Sequence, residues 1–240
     1  MAEPHMVVPQ PSSKIDGLLI FFFRDNVHDD PDGLNRDEWC RRVMYLVNTC
    51  HDHHNPLNDA PVRYNAGDMQ MIKYTFKDVD VEHIVNNLQK HAIRGFQTSW
   101  RLYEQLPTVV DAAQDSPSGP HILVLVGMTP SLALVDDFNN WYTHEHIHLL
   151  SRVPGWLYSK RYSIVACSPT ELGLIPPDYL AIHAYVSRRS FDTEPYRAAT
   201  STPWRMRVVN EGVIRDERSV LDFVQILSVD EAKMDKLSCH

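Results

Sequence analysis

Residues 121–150 read HILVLVGMTPSLALVDDFNNWYTHEHIHLL. The first seven, His121–Gly127, are a short run of branched apolar residues, which reads as a buried strand. Val135–Leu150 then reads as one long helix, ended by Pro154-Gly155. The same pair stands earlier in the chain. Gly17–Asp25 (GLLIFFFRD) reads as a buried strand, and Trp39, Val43, Leu46 and Val47 recur at helical spacing across Asn35–Asn48. Subtracting 99 from the later numbers lays Asp136-Asp137-Phe138 on Asp37-Glu38-Trp39, and Arg161-Tyr162 falls one position from Arg63-Tyr64. An internal repeat of this kind fixes the architecture before any single element does.

The remaining elements complete each copy. Val62–Ala66 and Met69–Phe76 are strands about Gly67-Asp68, Val81–His91 is a short helix and Gly95–Leu106 a fourth strand. In the second copy Leu157–Ala166 and Tyr179–Val186 are strands, Ser190–Val209 is helical with a break at Pro203, and Ser219–Leu227 is the last strand. The order β-α-β-β-α-β is the ferredoxin-like split unit. The expectation is an α+β chain of two tandem ferredoxin-like repeats whose sheets face each other, a fused, intrachain dimeric α/β barrel. Its parts are a disordered lead-in (1–16), an N-terminal scaffold repeat (17–111), a Ser-, Pro- and Gly-rich linker (112–120), a site-bearing repeat (121–228) and a tail (229–240).

The totals exclude several classes. The chain has 240 residues and a net charge of −8, which argues against nucleic acid and, more weakly, against anionic membranes. Its most apolar run, Gly17–Phe23, is too short to span a bilayer. Cys40, Cys50, Cys167 and Cys239 are scattered and form no CxxC, so a soluble, reducing, cytoplasmic setting is expected. Neither GxGxxG, GxxxxGK[ST] nor GxSxG occurs.

One site is expected, in the second repeat. Trp141, Tyr142, Glu145 and His146 fall on Arg42, Val43, Leu46 and Val47 of the first, so the polar equipment of the second helix has no counterpart. By i, i+4 spacing Phe138, Tyr142, His146 and Leu149-Leu150 share the face that packs on the sheet, with Glu145 at its edge. His146 can move a proton near neutral pH, Tyr142 can donate to a carbonyl or enolate oxygen, and Glu145 either orients the imidazole or sits at the rim. The competing reading makes His146 and Tyr142 core residues bonded to backbone or a buried carboxylate. Strand alternation puts Ala181, His183 and Tyr185 on one face, and His183 is read as lining the site, a sheet-surface histidine being the alternative. Trp204 reads first as core packing and second as a wall of the site.

His144-Glu145-His146-Ile147-His148 also matches HExxH, the zinc-binding helix motif. His144 and His148 lie on the face away from Phe138, Tyr142 and His146, and no GxxH continuation supplies a third ligand. No metal is therefore expected there. His51, His53 and His54 could attract a metal but read better as a solvated loop.

DDFNNWYTHEHIHLLSRVPGW, followed by KRY, YLAIHAYV and STPWRMRV, resembles the EthD-like group of dimeric α/β-barrel proteins, in its fungal two-repeat type. The resemblance covers Asp136 to about Arg218, and His148 stands where that group usually has proline. It implies a cofactor-free enzyme of secondary metabolism that promotes cyclisation (pericyclic included), isomerisation or decarboxylation. The substrate implied is hydrophobic and oxygenated, polyketide- or terpenoid-like, and a homodimer is a further option. His146, Glu145, Trp141 and Tyr142 inherit the group's His, acid and aromatic pair; His146, Tyr142 and Glu145 are the expected catalytic residues, and Trp141, Phe138, Tyr162, His183 and Trp204 the expected substrate contacts. The alternatives are a non-catalytic carrier of the same fold and a haem-dependent oxidoreductase.

Overall fold

The computed structural model describes residues 14–24, 34–50, 60–91, 93, 96–112, 119–169 and 175–227. Residues 1–13, the His51, His53 and His54 loop, most of the expected linker and the tail beyond 227 lie outside the described residues. Eight strands are formed: β1 (Lys14–Arg24), β2 (Val62–Ala66), β3 (Met69–Asp80), β4 (Thr98–Gln105), β5 (Ile122–Pro130), β6 (Trp156–Cys167), β7 (Tyr179–Tyr185) and β8 (Val213–Ile226). The α-helices are α1 (Leu34–Cys50), α2 (Val81–Lys90), α3 (Val135–Trp141), α4 (Ile147–Leu150), α5 (Glu194–Ala199) and α6 (Pro203–Arg207). The fold is α+β, and its strand order, β1-β3-β2-β8-β5-β7-β6-β4, is that of a closed antiparallel barrel. Among the described residues no helix is long and apolar enough to cross a membrane.

The chain divides into two compact units. The first holds β1–β4, α1 and α2, with residues 164–169, 175 and 224–227 among those described. Its strands run β4-β1-β3-β2. β1 starts at Lys14, inside the expected lead-in, because Lys14 and Ile15 pair with Asp80 and Val79 and Ile15 is buried. Leu19, Phe21 and Phe23 share one face of β1 and pack with Trp39, Val43, Val47, Ile84 and Leu88 of the helices. Leu18 and Ile20, on the other face, are also fully buried, which is why GLLIFFFRD shows no polar alternation. The ends of β6 and β8 leave the second repeat and complete this unit: the Ser168 N–H donates to the Trp100 carbonyl, and the Leu227 N–H to that of Pro61.

The second unit holds residues 106–163 and 176–223. Its strands run β6-β7-β5-β8, again antiparallel. One face, carrying Ile122, Val124, Met128, Ala181 and Tyr185, packs against Phe138, Trp141, Tyr142, Ile147, Leu150 and Ala199 of the helices. Gly155 turns the chain from α4 into β6 at φ 83°, a conformation that disfavours side chains. The expected helix Ser190–Val209 is divided three ways. Thr193 caps α5 and Thr202 caps α6, each side chain accepting a backbone N–H, and Pro203 begins a new helix rather than kinking an old one.

Candidate functional site

The helix expected over Val135–Leu150 is not uniform. Between α3 and α4, Tyr142–His146 form a π turn, in which the Ile147 N–H donates to the Tyr142 carbonyl five residues back. An i→i+5 turn is wider than an α turn and makes residues five apart neighbours. Trp141 and His146 are such a pair, and their rings stack with centroids 4.4 Å apart. Trp141 thereby joins Phe138, Tyr142 and His146 on the face buried against the sheet, all four at most 7% exposed.

His146 is oriented from outside its own helix. Its Nδ1 lies 3.2 Å from the Ala199 carbonyl oxygen at the end of α5. A carbonyl only accepts, so Nδ1 carries the hydrogen and the neutral ring presents a bare Nε2. Burial, then His183, Arg205 and Arg161, hold the imidazole's proton affinity well below the usual histidine range. Every formal charge named there is positive. His183, on β7, meets His146 edge to face with centroids 5.9 Å apart. Burial, Arg161 and Arg218 lower its pKa to about 3. Its Nδ1 is 2.8 Å from the Ser159 hydroxyl, which already accepts the indole N–H of Trp156. The hydroxyl keeps its own hydrogen and a second lone pair for His183 Nδ1; in the arrangement where it donates, the ring hydrogen of His183 sits on Nε2.

Arg161 lies two residues beyond Ser159 on β6 and is 6% exposed. Its guanidinium donates to Asn139 Oδ1 (2.7 Å) and stands 4.3 Å from the Tyr142 ring centroid, 5.3 Å from Phe138 and 5.7 Å from Tyr179. Asn139 is itself fixed by donating to the Val135 carbonyl. The Tyr142 phenol is pushed up to about 12 by burial, against the pull of Arg161 and Arg205, so it is a neutral donor at physiological pH.

The expected site residues are not all brought together. His146, Tyr142, Trp141, Phe138 and His183 share one cluster. Tyr162 is not part of it: β6 alternates, Tyr162 pairs with Leu180 on the opposite face, and its neighbour Arg161 takes the position. Glu145 does not touch the imidazole. Its carboxylate accepts a hydrogen bond from the Thr202 hydroxyl (2.6 Å), the residue that caps α6. Trp204 packs beside Phe138 and Tyr142 while its indole N–H donates to Asp137, whose carboxylate also takes the Arg207 guanidinium. His144 and His148 are exposed, and among the described residues no group of three or more His, Cys, Asp or Glu could hold a metal ion. Ser159, Asn139, Arg161 and the Ala199 carbonyl are the members that sequence reasoning missed. KRY was in view, but only strand register shows that Ser159 opposes His183 and that Arg161, not Tyr162, faces the helix.

The polar atoms of this cluster are short of partners. His183 Nε2 and Trp141 Nε1 are buried with none, and among the described residues neither the Tyr142 hydroxyl nor His146 Nε2 makes a hydrogen bond. Buried polar groups are nearly always satisfied, and one left unpaired costs about 1–3 kcal/mol.

No family profile matches the chain, and no curated protein matches it in sequence. Solved structures do match. An anthrone oxidase-like protein is 11% identical, with a TM-score of 0.58 over 92% of this chain and 96% of that one. Chlorite dismutase from Candidatus Nitrospira defluvii, in complex with imidazole, is 13% identical, with a TM-score of 0.52 over 92% of this chain and 94% of that one. At these identities the likeness is one of fold, and it spans both repeats.

Proposed function

We propose that the protein is an enzyme that moves a proton on a hydrophobic, oxygenated small molecule without a bound cofactor, and that His146 is its base. The observation that carries this reading is the group of unpartnered polar atoms around two neutral imidazoles. His146 Nε2 offers a lone pair and the Tyr142 hydroxyl a hydrogen; His183 Nε2 offers a second hydrogen in the tautomer whose Nδ1 accepts from Ser159. A molecule with an acidic C–H beside a carbonyl uses both. The C–H bond breaks, its proton joins His146 Nε2, and the electron pair passes to the carbonyl oxygen, which takes hydrogen bonds from His183 and Tyr142. Returning the proton at a different carbon completes an isomerisation. The same carbanion, closing on an electrophilic carbon of its own chain, gives a ring. The cations nearby disfavour imidazolium but favour the enolate, so the pair forms together and the proton is readily given back.

The EthD-like resemblance of residues 136–218 supports a substrate of the polyketide or terpenoid kind. The haem alternative predicts a Soret band in the purified protein. The carrier alternative predicts binding without chemistry.

Deuterium uptake tests the reading, with anthrone as the probe because it is apolar, polycyclic and has an acidic methylene beside its aromatic ketone system. The folded protein should speed exchange of that methylene in D2O, followed by proton NMR, well above the buffer rate. His146→Ala should remove the increase. Binding of anthrone with exchange no faster than in buffer would favour the carrier.

A further inference from the structure

The two repeats treat one arginine differently. Arg63 of the first repeat is buried and donates to the Asp37 carboxylate (3.1 Å) and to Gln70. Arg161, within the corresponding strand β6 of the second, is also buried but reaches no carboxylate: it has the neutral amide of Asn139 and three aromatic rings. Of the two acids in the first turn of α3, Asp136, which the repeat lays on Asp37, is exposed and makes no bond to Arg161, and Asp137 is engaged with Arg207 and Trp204. Glu145 is engaged with Thr202. A buried cation without a counter-ion is strongly unfavourable, and aromatic faces with one amide compensate it only in part. In a chain of net charge −8 acidic partners are plentiful, so the gap is specific to this place. A guanidinium meets a carboxylate through two parallel N–H···O bonds, and a singly charged carboxylate matches its single charge.

We propose that Arg161 is the anchor for a carboxylate on the substrate, so that the molecule bound best at the site carries an acid group on its apolar, oxygenated body. The inference rests on the reading above only in taking the His146 cluster as the binding site. Phe138, Tyr142 and Tyr179 form the apolar collar around the charge, and Asn139 holds the guanidinium from behind. Arg161 is thus a specificity residue. The carboxylate fixes the molecule beside Tyr142, and the proton chemistry takes place at His146.

The test is calorimetric titration of the full chain with 2-naphthoate and with 2-naphthamide, which have the same shape and differ in charge. Wild type should bind the naphthoate at least tenfold more tightly than the amide. Asn139→Asp, which gives Arg161 the carboxylate that Asp37 gives Arg63, should abolish the preference and raise the melting temperature. Arg161→Met should abolish the preference as well, and decides the matter if the aspartate variant does not fold. Equal affinity for the two probes in wild type, binding of neither, or a preference that survives in the folded variants would overturn the proposal. The proton-transfer reading fails separately: a wild type that does not speed anthrone exchange but prefers the naphthoate loses that reading and keeps this one, and a wild type that exchanges anthrone but ignores the charge does the reverse.

Discussion

His146 and His183 come from a helix and a strand and meet at 88°, ring centroids 5.9 Å apart, each held by a hydrogen bond through Nδ1. The Ala199 carbonyl requires a hydrogen on the first and leaves its Nε2 an acceptor, whereas the Ser159 hydroxyl can meet the second as donor or acceptor. Neither imidazole is charged at neutral pH.

That neutrality makes stability depend on pH. Both imidazoles have a lowered pKa in the folded state, His183 to about 3, against about 6.5 in an unfolded chain. Between those values the unfolded chain binds protons that the folded chain does not, so stability is complete above pH 6.5 and falls as pH drops. Each group contributes a slope of about 1.4 kcal/mol per pH unit. Melting temperatures from pH 7.5 to 4.5 should fall steadily, and His183→Asn should flatten the curve. An identical slope in that variant would show that other groups carry the effect.

His146→Ala should lower the enzymatic exchange rate by ~10²–10⁴ in a folded protein, the usual scale for a lost acid or base. Tyr142→Phe should fall less, since it keeps the ring against Arg161 and removes only the hydroxyl. Val47→Ala, at the corresponding place in the first repeat, should cost roughly 1–2 kcal/mol through packing alone and leave exchange unchanged. A melting-temperature loss in His146→Ala with the rate intact would make that histidine a core residue. Sensitivity should then move to the walls, Trp141 and Trp204.

Ser159→Ala removes the hydroxyl paired with His183 Nδ1 and leaves the Trp156 indole N–H without its acceptor. Stability should fall by about 1 kcal/mol. The exchange rate should also drop, because His183 is then no longer held through Nδ1. Ser159→Thr, which keeps the hydroxyl, should restore most of the rate; failure to do so would argue against the hydroxyl's role.

Purified protein should hold no stoichiometric zinc. His144 and His148 are exposed, and the His144 Nδ1 faces the carbonyl of Asn140, one turn back. Elemental analysis is the check. One zinc per chain, lost when His144→Ala and His148→Ala are combined, would restore the HExxH reading.

Much of the fold was legible because it rests on short-range periodicity. The paired strand-and-helix units 99 residues apart mark each β-α-β-β-α-β copy, and buried strands such as GLLIFFFRD declare themselves by lacking polar alternation. The inward place of Phe138, Tyr142 and His146 followed from helical spacing. What spacing could not supply was every relation that depends on a partner distant in sequence. The π turn moves Trp141 onto His146, and no residue type marks it. Strand register chooses Arg161 over Tyr162, since a shift of one position exchanges the faces of β6. Thr202 takes Glu145, Asp137 takes Arg207 and Trp204, and Ala199 sets the His146 tautomer across 53 residues. The amino-acid sequence thus determined which elements form and which face each one buries, because those are properties of neighbours along the chain. Tertiary packing alone decided which polar groups are satisfied and which are left open, because hydrogen bonding and desolvation depend on what lies across the gap.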